Sequence, residues 1–370
     1  MLTKFSVSNF KGFNEEFVLD LQDPNGYEFN KESVKNGIVN HAIIYGKNGV
    51  GKSNLGLAIF DIVGHLTDLE FEEAPYSNYL NALNQSNTAQ FHYEFLIDSN
   101  KVIYNYQKTD SRTIIAESFY INGKKLISID RKNNNQAITK LKGTETLKTT
   151  INNNNLSVLK YIKNNSILDE NEENRVFLNF FEFIEGLLFF KTLRKNVYLG
   201  LEVGSRSTQK DIIEKGNVSN LESFLNTAGI ECKLIAEKHS DKDTIAFNFN
   251  GKTIPFFSIA STGTISLLLF YFWLQRLRES KVTFLFLDEF DAFYHHKLSA
   301  LIVEELKKTG VQFILTTHNT SIITNDLLRP DCYFLMDKQS IKSLAKSTSK
   351  ELRAAHNIEK MYKAGSFHAQ

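Results

Sequence analysis

Apolar and polar residues alternate in the first part of the chain in a way that predicts β-strands. Residues 2–7 and 17–21 alternate, whereas residues 38–45 form an apolar run that ends at a glycine-rich turn. A helix is expected from about 52 to 66. Residues 91–98 and 101–108 predict a hairpin with Ser99-Asn100 as its turn.

The pattern changes after about residue 175, where helical spacing predominates up to about 230. The strands predicted beyond this point cover residues 232–238, 244–249, 253–257, 282–287 and 311–316. Helices are predicted at 264–279, 297–308 and 349–364. The last of them rests on the capping-box spacing of Thr348 and Glu351 and on Gly365 as a stop. Strands and helices are mixed at both ends of the chain, which predicts an α/β fold.

Two apolar runs, 176–193 and 265–274, are expected to be buried helices and not membrane spans. The first run carries Asn179, Glu182 and Glu185, and the second is about half the length that a spanning helix needs. Asparagine clusters at 133–135, 152–155 and 164–165 mark the stretch from about 131 to 175 as an insertion. Either a recognition surface or a compositionally biased linker fits that stretch.

Composition narrows the classes of protein. The chain has 370 residues, a formal net charge of +1, 42% hydrophobic and 23% charged residues. These values exclude a disordered chain and a globally basic coat for nucleic acid. Two cysteines without the spacing of a zinc site or a disulfide framework indicate a reducing cytoplasm, and the N-terminus lacks the apolar stretch of a signal peptide.

A phosphate-binding loop is predicted at residues 46–53, where GKNGVGKS fits G-x-x-x-x-G-K-[ST] at every fixed position. The loop follows a predicted strand and opens a predicted helix, so its backbone N–H groups can surround a phosphate. Lys52 would reach the β- and γ-phosphates of a nucleotide, and the Ser53 hydroxyl would bind Mg²⁺.

A second acidic motif closes the apolar strand FLFLDE at 284–289. Asp288 would hold Mg²⁺ through water, and Glu289 would act as the general base on the attacking water. Small GTPases and RecA-type motors place the two motifs much closer together. A GTPase also needs an N-K-x-D motif, which does not occur in this sequence.

Two further segments complete the order of motifs. SIASTGT at 258–264 opens the buried helix before the acidic strand, and ILTTHN at 314–319 ends the strand after it. The order is therefore Walker A, long insertion, Ser/Gly signature, Walker B with Glu, and then His. This is the layout of ATP-binding-cassette (ABC) ATPases.

The chain resembles the SMC/RecF/OLD branch of these ATPases, and within it the stand-alone AAA family ATPases of bacterial anti-phage and abortive-infection loci. The motifs that carry the resemblance are SNFKGF at 8–13, GKNGVGKSNL at 46–55, STGT at 261–264, LDEFDAF at 287–293, TTHNT at 316–320, RPDCYF at 329–334 and KELRAAHNIEKMY at 350–362. Residues from about 110 to 230 contribute almost nothing to it.

The resemblance implies that two heads face each other and enclose two ATP molecules. Ser261 and Gly263, with Thr264 beside them, would contact the γ-phosphate held by the other subunit. His318 would hold the γ-phosphate from its own side, and Asp291 would lie in the D-loop across the dimer. The remaining residues implied at the nucleotide are Lys11, Gly46, Asn48, Gly49, Val50, Gly51 and Asn54. The Q-loop glutamine is either Gln85 or Gln90.

The chain departs from its relatives in ways that limit the hypotheses. STGT replaces the SGGQ of transporters, which argues against a transporter subunit. No sustained heptad repeat interrupts the cassette, so a long coiled-coil arm is not expected. The segment after His318 is too short for the nuclease domain of OLD proteins. A metal-dependent nuclease at Asp288, Glu289, Asp291, His295 and His296 is an alternative that the ATPase roles of these acids disfavour.

The resulting prediction is an α/β, ABC-type P-loop ATPase head with a mixed sheet, an antiparallel β-subdomain and a short helical insertion. Residues 1–110 and 230–335 would form a discontinuous head, 111–229 a helical, Asn-rich insertion, and 336–370 a helical tail. ATP and Mg²⁺ are the expected cofactors. The chain would be a cytoplasmic homodimer or higher oligomer without a membrane partner.

Three functions compete at this level. The first is the sensor ATPase of an anti-phage defence system that controls a separate effector nuclease or toxin. The second is a RecF-like repair clamp, in which ATP closes the dimer on duplex DNA. The third is a scaffold that binds ATP without hydrolysing it, which the intact Glu289 disfavours.

Overall fold

Two seven-stranded sheets and two smaller ones make up the β-structure of the computed structural model, which describes residues 1–69, 73–192, 197–200, 208–237, 243–279, 282–292 and 296–367. The strands are β1 (Leu2–Ser8), β2 (Phe17–Asp20), β3 (Val34–Lys35), β4 (Ile38–Val39), β5 (His41–Tyr45), β6 (Ala89–Ile97), β7 (Asn100–Lys108), β8 (Ile114–Ile121), β9 (Lys124–Asp130), β10 (Ile138–Thr139), β11 (Leu187–Thr192), β12 (Val197–Gly200), β13 (Leu234–Glu237), β14 (Thr244–Phe249), β15 (Lys252–Pro255), β16 (Phe284–Leu287), β17 (Gln312–Thr317), β18 (Tyr333–Met336) and β19 (Ile341–Ser343).

Helices lie between and around these sheets. They are α1 (Lys52–Phe60), α2 (Val63–Leu66), α3 (Val158–Asn165), α4 (Glu172–Glu185), α5 (Thr208–Glu214), α6 (Val218–Thr227), α7 (Phe256–Ile259), α8 (Thr262–Arg278), α9 (His296–Lys307) and α10 (Ile358–Lys363).

The core sheet has the order β12-β11-β16-β17-β5-β18-β19. Its five central strands, from β11 to β18, run parallel, and the strands at its two edges are antiparallel to their neighbours. Strands β16 and β17 are buried along their whole length, and each contains a run of apolar residues, at 284–287 and 313–315. Because β5, β16 and β17 are parallel neighbours, the segments that follow them emerge at the same edge of the sheet.

The second large sheet is antiparallel throughout, in the order β10-β9-β8-β7-β6-β1-β2. Its apolar face packs over α1 and α4 through rings such as Tyr93, Phe95 and Phe180. The predicted mixed sheet and antiparallel β-subdomain of an α/β fold are therefore confirmed.

A buried polar group ties the phosphate-loop helix to this antiparallel sheet. Asp61, directly after α1, forms a fully buried ion pair with Lys108 of β7 at 2.7 Å. Its two oxygens also accept hydrogen bonds from the hydroxyl groups of Tyr79 and Tyr106. A buried carboxylate satisfied in this way fixes how the helix sits beneath the sheet.

Helix α8 is apolar on nearly all sides because it is enclosed. Trp273 packs on Phe190 of β11, with ring centroids 5.1 Å apart, and Tyr271 contacts Phe224 of α6. Arg276 lies over the Phe272 ring and pairs with Asp211 of α5. The prediction of a buried helix here is confirmed, and it begins at Thr262.

Several predicted elements are wrong. The run 176–193 is not one helix, because α4 ends at Glu185 and β11 follows. The segment 111–229 is not uniformly helical, since β8 and β9 extend the antiparallel sheet and β11 enters the core sheet. The tail helix is limited to Ile358–Lys363, and its N-cap is Asn357, not Thr348. The hairpin turn is Asp98-Ser99, one residue earlier than predicted.

Across the parts of the chain that the structure describes, no helix has both the length and the apolar character to cross a membrane.

Candidate nucleotide site

The phosphate loop connects β5 to α1, as its sequence predicts. Gly49 and Gly51 adopt φ values of +79° and +109°, which residues with side chains rarely adopt. A Cβ on Gly46 would lie 2.9 Å from the carbonyl oxygen of Met336 in β18, so the chain has room only for glycine there. The loop is thus packed against the C-terminal end of β18 in the core sheet.

Lys52, the first residue of α1, folds back over the loop. Its Nζ donates hydrogen bonds to the carbonyl oxygens of Gly46 at 2.7 Å and Lys47 at 3.2 Å. Burial lowers the pKa of Lys52, while the nearby Asp288, Glu289 and Asp291 oppose that shift. The ammonium group therefore lies inside the loop, where a bound phosphate would meet it.

Ser53 and Asp288 come together from positions 235 residues apart: the Ser53 hydroxyl donates a short hydrogen bond to Asp288 Oδ2. The other carboxylate oxygen, Oδ1, accepts a hydrogen bond of 2.5 Å from the Thr316 hydroxyl. Burial raises the pKa of Asp288, and the hydrogen bonds from Ser53 and Thr316 partly offset this.

Glu289 differs from its neighbour because its side chain is exposed. Its backbone has φ +45°, in the left-handed region that residues other than glycine seldom adopt. The side chain lines a cavity of about 250 Å³ whose other lining residues are Asn48, Gly49, Gly51, Lys52, Ser53 and Asn54. A carboxylate and the phosphate loop therefore face the same space.

Asp291 is also held by a threonine, through one of its two carboxylate oxygens. Thr317 donates a hydrogen bond of 2.8 Å to Asp291 Oδ2, and the carboxylate is buried. Burial raises the pKa of Asp291, against the hydrogen bond from Thr317. The acids were predicted from their motif, but no role was predicted for Thr316 or Thr317, although both belong to the TTHNT motif.

The signature residues begin helix α8. Ser261 is its N-cap, since its Oγ accepts a hydrogen bond of 3.2 Å from the Thr264 N–H. Ser261 is exposed, Gly263 is half-buried and Thr264 is buried. None of the three lines the phosphate-loop cavity of its own chain.

The structure places three other predicted residues near the site or at its surface. His318 is exposed just after β17. Lys11 has φ +48° and donates from Nζ to the Ser77 carbonyl oxygen at 2.7 Å. Its turn lies beside the phosphate loop, because a Cβ on Gly12 would lie 3.2 Å from Nδ2 of Asn54.

The two candidate Q-loop glutamines, Gln85 and Gln90, are exposed, and neither lines the phosphate-loop cavity. Val50 is half-buried, and a Cβ on Gly46 would lie 2.9 Å from its Cγ2. The structure thus leaves the choice of glutamine open.

The donor set fits ATP with Mg²⁺. A lysine ammonium inside a loop with left-handed glycines suits a polyphosphate, and the paired oxygens of Ser53 and Asp288 are the kind of ligand that Mg²⁺ takes. His295 of the alternative nuclease cluster lies outside the described residues. Among the residues that are described, no group of three or more His, Cys, Asp and Glu side chains could hold a metal ion.

Comparison with known proteins gives a family and a set of similar folds. The family model described as "AAA domain, putative AbiEii toxin, Type IV TA system" matches residues 42–324. No curated protein matches the chain.

Three solved structures of SMC heads are similar over most of their length. One, of an SMC head bound to the C-terminal winged-helix domain of ScpA, has 18% identity and a TM-score of 0.46, covering 93% of this chain and 98% of the other. The SMC head of Thermotoga maritima has 15% identity and a TM-score of 0.41, with coverages of 92% and 98%. The head from Pyrococcus furiosus, with an extended coiled coil and bound to the C-terminal domain of ScpA, has 14% identity and a TM-score of 0.42, with coverages of 93% and 97%.

Proposed function

The chain belongs to the AAA-domain family described as AbiEii-type, and we propose that it is an ATP-hydrolysing switch whose heads pair around ATP. One observation supports this most: Ser53 and Asp288, 235 residues apart, meet beside a loop that encloses Lys52, while Glu289 faces the same cavity. P-loop enzymes that hydrolyse nucleotides combine such a lysine, a Mg²⁺-binding Ser and Asp, and a residue that positions the attacking water.

In this proposal each residue of the site has one task. The Lys52 ammonium binds and neutralises the β- and γ-phosphate oxygens, and the loop N–H groups orient them. Glu289 accepts the proton of the attacking water at its carboxylate. Mg²⁺, held by Ser53 and, through water, by Asp288, would supply charge neutralisation at the phosphates.

The position of the signature supports pairing of two heads. Ser261 is exposed at the N-terminus of a 17-residue helix, yet it does not line the cavity of its own phosphate loop. The helix dipole and the free N–H groups of that terminus suit a phosphate carried by a second copy. His318 would contact the γ-phosphate in its own head, Lys11 would turn to the phosphates, and Asp291 would lie in the D-loop between the heads.

The first prediction tests the switch. Glu289→Gln is expected to trap an ATP-bound dimer because the base is lost while binding remains, and Lys52→Ala is expected to prevent dimer formation. Size-exclusion chromatography with light scattering, with and without ATP and Mg²⁺, measures this. Equal elution of the two variants in ATP would show that the heads do not pair around the nucleotide.

Hydrolysis itself is checked by single-turnover phosphate release. The wild-type chain should release one phosphate per bound ATP, and Glu289→Gln should not. Binding without release in the wild type would favour the scaffold that holds ATP without turnover.

The family also supports a role in defence. We propose that the chain senses infection and controls a separate effector, acting as a cytoplasmic homo-oligomer. The family description names a putative AbiEii toxin and a type IV TA system, and this supports a role beside a toxin. Affinity capture from the native host should recover one stable partner with nuclease or toxin activity. Salt-sensitive DNA binding without such a partner would favour the repair clamp instead.

A further inference from the structure

Thr316 is a polar residue in the middle of the apolar core sheet. It lies near the end of β17, between the Walker B strand β16 and the phosphate-loop strand β5, and its Cα is paired with that of Ile44. The three residues before it, Phe313, Ile314 and Leu315, are apolar, and Thr316 is as fully buried as they are. A buried hydroxyl is costly unless its hydrogen bonds are made, so its partners matter.

The Thr316 hydroxyl is bonded on both sides. It donates to Asp288 Oδ1 at 2.5 Å and accepts from the backbone N–H of Glu289 at 2.9 Å. A hydroxyl has one donor and two acceptor sites, so this one group links the carboxylate of the first acid to the backbone of the second. With Oδ1 engaged, Asp288 presents Oδ2 to Ser53.

The backbone of Thr316 binds the same turn. Its carbonyl oxygen accepts from the Phe290 N–H at 3.2 Å. Two successive N–H groups, of Glu289 and Phe290, therefore end on one residue.

These contacts fall where the backbone is strained. Glu289 has φ +45°, which costs a residue with a Cβ free energy and persists only where the surroundings hold it. The same conformation leaves the Glu289 side chain exposed on the phosphate-loop cavity. Released from Thr316, the turn could relax to ordinary backbone angles and carry the carboxylate away.

We propose that Thr316 is a positioning residue for ATP hydrolysis: its hydroxyl holds Glu289 in the left-handed conformation that aims the carboxylate at the phosphate-loop cavity, and at the same time orients Asp288. Thr316 does not line the phosphate-loop cavity, so it acts through these two acids. This inference rests on the proposed function for its kinetic consequence, but its structural part does not.

Three variants test the proposal. Thr316→Val keeps the shape and the β-branch but removes the hydroxyl, and Thr316→Ser restores it. Thr3→Val is the matched control, because Thr3 is also buried in a strand and donates to a backbone carbonyl, that of Glu94 at 3.1 Å, in the antiparallel sheet.

The structural measurement is hydrogen exchange of the protein without nucleotide, followed by mass spectrometry on peptides that cover residues 285–292. The amide hydrogens of Glu289 and Phe290 should exchange faster in Thr316→Val than in the wild type. Their exchange rates should be unchanged in Thr316→Ser and Thr3→Val. Unchanged exchange in Thr316→Val would overturn the inference whatever the activity of the protein.

The kinetic measurement is steady-state ATP hydrolysis. Thr316→Val should lower kcat about 10- to 100-fold with KM changed less than about threefold, since displacement of a catalytic group acts on the chemical step. Thr316→Ser should recover most of the rate, and Thr3→Val should match the wild type. A Thr316→Val rate within about twofold of an active wild type would overturn the inference alone; a wild type that binds ATP but does not turn over would overturn the proposed function.

Discussion

Burial changes the protonation of single residues in this chain, and His41 is an example. His41, the first residue of β5, is buried and stacks on Phe313 with ring centroids 4.6 Å apart. Its Nε2 faces the Asn40 side-chain amide at 2.8 Å, and so serves as an acceptor in the neutral ring. Burial lowers its pKa to about 4, with Lys307 adding to the shift and Glu32 opposing it.

This histidine should weaken the fold in acid. In the unfolded chain it takes up a proton below about pH 6.5, whereas in the folded chain it does so only near pH 4, so stability falls as the pH drops through that window. Between pH 7.5 and pH 5, the free energy of unfolding should therefore fall by about 2 kcal/mol less in His41→Gln than in the wild type. Urea unfolding at the two pH values measures the difference, and parallel losses in both proteins would contradict it.

The sequence predicted the residues proposed to bind phosphate and Mg²⁺ better than the residues that hold them in place. Lys52, Ser53 and Asp288 lie where their motifs predict, because glycine spacing and a run of apolar residues are local signals. Thr316 carries no such signal, since its importance arises only when β17 is placed between β16 and β5.

At the scale of elements, the N-terminus of α8 combines a structural and a proposed functional role. Ser261 caps the helix through the Thr264 N–H, and its hydroxyl also lies 2.9 Å from that of Thr264. An N-cap contributes about 1 kcal/mol when its side-chain oxygen accepts such a bond. The two roles can be separated because Asp and Asn cap helices as well as Ser does.

Different replacements of Ser261 should therefore affect the free energy of unfolding and ATP-dependent dimerisation separately. Ser261→Ala should cost about 1 kcal/mol of unfolding free energy, while Ser261→Asp and Ser261→Asn should stay within a few tenths. In the Glu289→Gln background, Ser261→Asp should abolish the ATP-dependent dimer because its carboxylate repels the partner's γ-phosphate. An undiminished dimer with Ser261→Asp would place the signature away from the nucleotide.

Helices and strands were predicted correctly where a segment had a single hydrophobic pattern. They were predicted wrongly where a helical pattern continued directly into a strand pattern. The strands β14, β16 and β17 follow clear apolar patterns. The run 176–193 hid a boundary, because the apolar positions of α4 continue into β11 and the two elements meet at Gly186 without a polar loop. The tail helix was overextended because residues 349–357 are held by side-chain contacts that local spacing does not reveal.

In the whole molecule, distant segments are joined by a few buried polar side chains. Arg329 pairs with Asp331 at 2.8 Å, and Asp331 Oδ2 accepts the Asn25 N–H at 2.7 Å, so the RPD of one motif fixes a loop near the N-terminus. Asn325 donates from Nδ2 to the carbonyl oxygens of Arg353, Ala354 and His356, which fixes the tail. None of these partners could be inferred from sequence spacing.

Loss of the Asn325 amide should release the tail without unfolding the core sheet. Asn325→Ala should increase the rate of trypsin cleavage at Lys350 and Arg353, because three backbone carbonyls lose their donor. Limited proteolysis with mass spectrometry measures the rate, with the exposed Asn220→Ala as control. Equal cleavage in the two variants would show that other contacts hold the tail.

The order of the core sheet also constrains when the protein can function during its synthesis. The successive strands β6 to β9 pair with their chain neighbours and can form as they leave the ribosome. The phosphate-loop strand β5 must instead wait for β17 and β18, which are made roughly 270 to 290 residues later, on the order of ten seconds to a minute at usual translation speeds. A nascent chain therefore lacks the strands on both sides of β5 until β17 and β18 have been made, so the proposed nucleotide site cannot be complete before then.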